Sequence, residues 1–298
     1  VSALAEPSGV ARPPAGLLAG IGHFAAELPW AARAAALVLL VYIVVAATGP
    51  LWAPYGPAEV LVGPAFDPPS AAHLFGTDNL GRDIFSRVVF GSRAVLIMAA
   101  ASTGLAVVVG AALGLLLAYL RGWVDEIGMR LIDILMSIPP LVLALLLISA
   151  LGNDSLLVVL TVTFLFAPRV VRIVRAAALA IVTEDYVAAA VTRGESAVGI
   201  ALRELLPNVL GTVFVEFSIR CGYAIVFIGA LGFLGFGAPP PAPEWGLMIN
   251  EGYSNINASF WPVLAPAGTM AVLVIALNLF TEGLARVIGQ TGPRGARE

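Results

Sequence analysis

Between Arg93 and Arg121 the chain runs 27 residues, Ala94–Leu120, without one charged side chain. A helix needs about 20 apolar residues to cross a bilayer. In water, every turn of so long an uncharged run would expose apolar surface that nothing else covers. Five more apolar segments stand at Ala34–Ala53, Ile132–Leu151, Asn153–Val174, Val209–Leu231 and Pro262–Leu284. With 59% hydrophobic and only 12% charged residues among 298, the chain reads as an all-α membrane protein of six spans.

The same residues exclude most enzyme chemistry. All 16 cationic side chains are Arg. Without a Lys, neither a standard phosphate-binding loop nor a Schiff base is available. Cys221 is the single cysteine, so no internal disulfide or cysteine-rich zinc site forms. His23 and His73 are too far apart for a helical zinc motif. A net charge of −3 offers nucleic acid no basic footprint. No cofactor is expected, and the energy for any work is expected to come from elsewhere.

Arginine placement predicts the orientation. With the N-terminus inside, Arg12, Arg33, Arg121, Arg130, Arg169, Arg172, Arg175, Arg193, Arg203, Arg286, Arg294 and Arg297 lie on the inner side. Only Arg82, Arg87 and Arg93 lie outside, and Arg220 falls within the fifth span. Both termini are therefore expected in the cytoplasm. Residues 1–30 read as a mobile cytoplasmic tail with a short surface helix near Leu17–Leu28, 31–288 as the six-span domain, and 289–298 as a C-terminal tail. The first apolar segment is read as a retained anchor, because an odd number of crossings must precede the second span.

Within the spans, Ala100, Gly104, Gly110 and Gly114 form a small-residue stripe suited to close helix contact. Pro139–Pro140 should bend or interrupt the third span. The inner loop 181–208 is too structured for a tether. Thr183 is placed to cap a helix through Asp185–Thr192, Gly194 to supply a turn with positive φ, and a second helix, Ser196–Leu206, to end against Pro207.

This loop resembles the signature E-A-A-x3-G-x9-I-x-L-P of inner-membrane permease subunits of ATP-binding-cassette importers. Ala188, Ala189 and Ala190 fall on E-A-A, Gly194 on the glycine, and Leu206 and Pro207 on L-P. Ala188 replaces the Glu, and Glu204 the Ile. The peptide-transporting members carry Y-V-x-A-A, matched by Tyr186–Ala190, and G-T-D-x2-G-R-D, matched by Gly76–Asp83. Leu231–Gly246 matches L-G-F-L-G-x-G-x-x-P-P-x-P-E-W-G, whose ending is most like the dipeptide members. The acidic residue such permeases often carry near the end of the fifth span is replaced here by Phe227 and Ile228, so no substrate contact is carried over to it.

The resemblance implies a type I importer permease fold in the bacterial inner membrane and no nucleotide site. It implies four kinds of partner: a homologous second permease, two ATPase subunits or domains, an extracytoplasmic peptide-binding protein and the lipid bilayer. Peptide is the implied cargo, with nickel or haem as alternatives. It also assigns ATPase coupling to the loop, through Tyr186, Ala188, Ala189, Ala190, Gly194, Ser196, Ala197, Ile200, Ala201, Glu204, Leu206 and Pro207. Rigid-body rocking of bundle halves would then give alternating access.

Glu216 and Arg220, four apart on the fifth span, share a helix face; they are expected either to pair structurally or to touch the translocation path. Asp78, Arg82 and Asp83, with Arg87, are expected in an amphipathic helix along the outer interface, capped by Asp78. Arg169, Arg172 and Arg175 read as inner-side anchors. A self-sufficient secondary transporter or channel, ion-coupled through Glu216 and Arg220, is the competing class. It would need no structured docking loop.

Overall fold

The computed structural model describes residues 28–291, so most of the expected N-terminal tail, its surface helix near 17–28, and residues 292–298 lie outside the described part. Ten α-helices follow in order: α1 Trp30–Trp52, α2 Ile84–Leu120, α3 Gly122–Ser137, α4 Pro140–Leu151, α5 Ser155–Leu179, α6 Asp185–Thr192, α7 Ala197–Ile200, α8 Leu206–Phe233, α9 Trp245–Tyr253 and α10 Trp261–Thr291. A π turn, Ala201–Leu205, joins α7 to α8 without a break.

The centre of the bundle is the pair α2 and α5. A Cβ on Gly110 would lie 2.5 Å from the Val170 Cβ, and one on Gly114 would lie 2.8 Å from the Val171 carbonyl oxygen. Gly110 and Gly114 therefore let two backbones meet, whereas Gly104 faces Phe217 of α8 and Ala100 is exposed. That approach replaces the hydrophobic drive that lipid cannot provide. Ser102 pairs with Thr163 further up the same contact, so the two helices run parallel. The chain must accordingly return between them, and α3 plus α4 make that return as one bent crossing. The bend is 87° and falls at Pro139–Pro140, as the sequence predicts.

Several boundaries differ from expectation. α2 starts at Ile84 rather than Ala94, because Arg87 is buried in ion pairs and does not stop the helix. The third crossing starts at Gly122, and the fourth, α5, runs on to Leu179. Pro207 does not end a helix. The π turn just before it, with the Leu206 N–H bonded to the Ala201 carbonyl, opens the ladder where proline lacks a donor and crowds the preceding turn. The helix expected at 78–89 along the interface is absent: 78–83 belong to a folded cap, and Ile84 onward is α2.

α8 packs on α2 and α5, and α10 packs on α1, α8 and α9. Burial grades across this arrangement. In α5, 56% of the most apolar window is buried, but only 17% in α1. The remaining apolar surface of α1, including Leu37, Val41 and Val44, faces outward, where hydrocarbon solvates it.

Candidate functional site

At the α6–α8 end, a single apolar cluster joins the loop to the bundle. Val187, Ala190, Ile200, Ala201 and Leu205 pack with Val107, Ala111 and Leu115 of α2 and with Val170 and Val174 of α5. The α6–α7 turn is closed by a glycine motif. Gly194 has φ +76°, its N–H donates to Val191, and the Glu195 N–H donates back to Ala190. Arg193 then bridges Glu195 at 2.7 Å and Glu204 at 3.2 Å. Ser196 caps α7 by accepting from the Gly199 N–H at 3.1 Å. Thr183 does not cap α6; Glu184 stands at that position, without a side-chain cap bond. Partial burial, then Glu184 and Glu204, push the Tyr186 hydroxyl above its usual range.

Two faces of the loop thus separate. Of the residues expected to couple, Ala190, Ile200 and Ala201 face the bundle and anchor the loop, while Tyr186, Ala188, Ala189 and Gly194 face away. Val198 and Leu202, absent from the sequence expectation, are 59% and 52% exposed and add apolar area to that outer face.

Midway along the bundle, α4, α5 and α8 line an open cavity of about 340 Å³. Leu141, Phe166 and Phe227 make its walls apolar, and Arg169, Arg220 and Tyr223 are its polar members. Glu216 and Arg220 do pair, at 2.8 Å, and both are buried. Below the cavity, Arg172 pairs with Asp133 and Arg175 with Asp125, so these two arginines clamp α3 to α5 beyond any anchoring role. Among the described residues, no three His, Cys, Asp or Glu side chains gather to hold a metal.

At the opposite end, the two glycine-rich motifs build rigid structure. Asp78 accepts from the Leu80 and Arg82 N–H groups and binds Arg82 at 2.6 Å and Arg87 at 2.8 Å. Both arginines also reach Glu251 of α9, at 2.7 and 2.9 Å. Asp83, not Asp78, caps α2, accepting from Ser86, and it also meets His73 at 3.0 Å. Asp78, Arg82 and Asp83 are all buried within this cap rather than displayed on a surface helix. In the second motif, a Cβ on Gly232 or Gly237 would collide with the Glu244 carboxyl, so these glycines make its seat. Glu244 accepts from the Ala238 N–H at 2.9 Å, and burial pushes its pKa up to about 7. Beside it, fully buried Trp245 donates to the Val88 carbonyl at 3.0 Å, locking the strap onto α2.

The loop is thus joined by apolar packing to two core helices, with a cavity midway along the bundle and a buried ion-pair cap at the opposite end. Residues 110–290 match the family model described as the binding-protein-dependent transport system inner membrane component. The chain belongs to this family. It is 37% identical over 216 residues to the glutathione transport system permease protein GsiD of Pectobacterium atrosepticum, covering 72% of each chain. Identity to the di/tripeptide transport system permease protein DppC of Pseudomonas aeruginosa is 34% over 254 residues, 83% of this chain and 84% of that one. The dipeptide transport system permease protein DppC of Alkalihalophilus pseudofirmus is 32% identical over 83% of this chain and 82% of its own. Among solved structures, a chain of the MetNI methionine ABC transporter, in an inward-facing conformation, superposes with TM-score 0.56 at 21% identity, covering 69% of this chain and 97% of that chain. That likeness supports the fold.

As a member of this family, the protein is an inner-membrane permease component of a binding-protein-dependent transport system. The self-sufficient transporter therefore gives way. Some of the site was hidden in the sequence. Glu251 carries no sequence signal and Glu244 stands only as part of the Pro-Glu-Trp-Gly motif; the fold brings the first to Arg82 and Arg87 and seats the second between two glycines.

Proposed function

We propose that this permease forms, with a homologous second permease, the translocation path for di- and oligopeptides. An extracytoplasmic binding protein delivers them, and two ATPase subunits or domains supply the work. In this reading the termini and loop 181–208 are cytoplasmic, in line with the arginine asymmetry. One observation carries it most: the loop exposes an apolar face while its other face is continuous with the core of α2 and α5. A push on the loop must therefore move the spans. The names of the relatives, for glutathione, dipeptides and di/tripeptides, support a peptide cargo over nickel or haem.

The test is uptake by the assembled complex in proteoliposomes. Radiolabelled dipeptide should accumulate only with ATP and binding protein together, and Ni²⁺ or haem should neither enter nor compete. Uptake driven by an ion gradient without ATP would overturn the reading.

A further inference from the structure

Three arginines sit one turn apart on the inner half of α5, and their charges are not treated alike. Arg172 and Arg175 each have an aspartate on α3. Arg220, across the cavity on α8, is neutralised by Glu216. Arg169 has no carboxylate partner among the described residues, and its exposed side chain lies on the cavity wall. The cavity thus holds one uncompensated positive charge.

Its depth makes that charge costly. At 1.5 Å per residue, Arg169 lies about 21 Å from the start of α5 and Arg220 about 20 Å from the end of α8. Both distances are shorter than the roughly 30 Å thickness of a hydrocarbon layer, so helices that begin or end near its boundary carry both arginines inside it. A cation there persists when it faces water or an anionic group.

We propose that Arg169 receives the terminal carboxylate of the peptide in transit. The proposal rests on the peptide reading above and adds the group that is recognised. Peptides differ in every side chain but share one terminal carboxylate, and the guanidinium fork matches that group in two parallel hydrogen bonds. Leu141, Phe166 and Phe227 offer no hydrogen bond to a side chain, which leaves the Tyr223 hydroxyl as the neutral polar group on the wall. The volume, about 340 Å³, is on the scale of small-ligand pockets.

The experiment uses the full complex in proteoliposomes with excess binding protein preloaded with alanyl-phenylalanine or with its C-terminal amide. Wild type should move the free acid about tenfold faster than the amide, the effect of one charge-assisted contact. Arg169→Gln should bring the ratio of free-acid to amide rates from about tenfold to near one, while Arg169→Lys should keep part of the preference. Equal loss for both peptides, as from a structural pairing with the second permease, would overturn the proposal. So would an undiminished preference in Arg169→Gln. A wild-type complex that hydrolyses ATP yet moves neither peptide would instead bring down the peptide reading, and this inference with it.

Discussion

Asp78→Ala is expected to destabilise the protein by about 3–5 kcal/mol, the usual cost of removing one partner from a buried ion pair. The carboxylate holds two buried guanidinium groups and two backbone N–H groups. Its loss leaves Arg82 and Arg87 with Glu251 alone, and Glu251 cannot neutralise both. Residues 54–83 should then detach from α9 while the spans stay inserted. Limited proteolysis of the purified complex checks this: cleavage should appear within 54–83, and the melting temperature should fall. A cap as resistant as wild type would show that the cluster does not hold it.

Gly194→Val should abolish most uptake without preventing assembly. A Cβ at this position meets nothing within 4 Å, so crowding is not the cause. The cause is φ +76°, where a β-branched residue is strained by about 1–2 kcal/mol. Relieving the strain rotates α6 against α7 and breaks the Glu195-to-Ala190 bond that closes the turn. Binding-protein-stimulated ATP hydrolysis and uptake should each drop more than tenfold, whereas Gly194→Asn, which tolerates this backbone, should stay near wild type. Equal activity in the Val variant would remove the turn from the coupling route.

The spans were legible because bilayer thickness writes itself into run length, and Pro139–Pro140 marked the bend. The loop was legible through Gly194 and Ser196, which have local roles. What stayed hidden depends on distant partners. Arg87 read as an interfacial charge because its partners, Asp78 and Glu251, meet only when α9 folds back on the cap. Pro207 read as a helix end because a π turn has no sequence mark comparable to a proline. Arg169 looked like its neighbours until Asp125 and Asp133 were seen to claim only Arg175 and Arg172.

Cross-linking from the outer face of the loop addresses the coupling mechanism most directly. In a Cys221→Ser background, which removes the single native thiol, Val198→Cys and Leu202→Cys are each combined with the wild-type ATPase in the assembled complex. Both should form a cross-linked permease–ATPase species with a short bifunctional reagent, with a yield that changes between ATP-bound and nucleotide-free states. Ala201→Cys, at a position 6% exposed and turned to the bundle, should not. If Ala201→Cys cross-links while Val198→Cys and Leu202→Cys do not in any nucleotide state, the loop does not carry the ATPase stroke through this face.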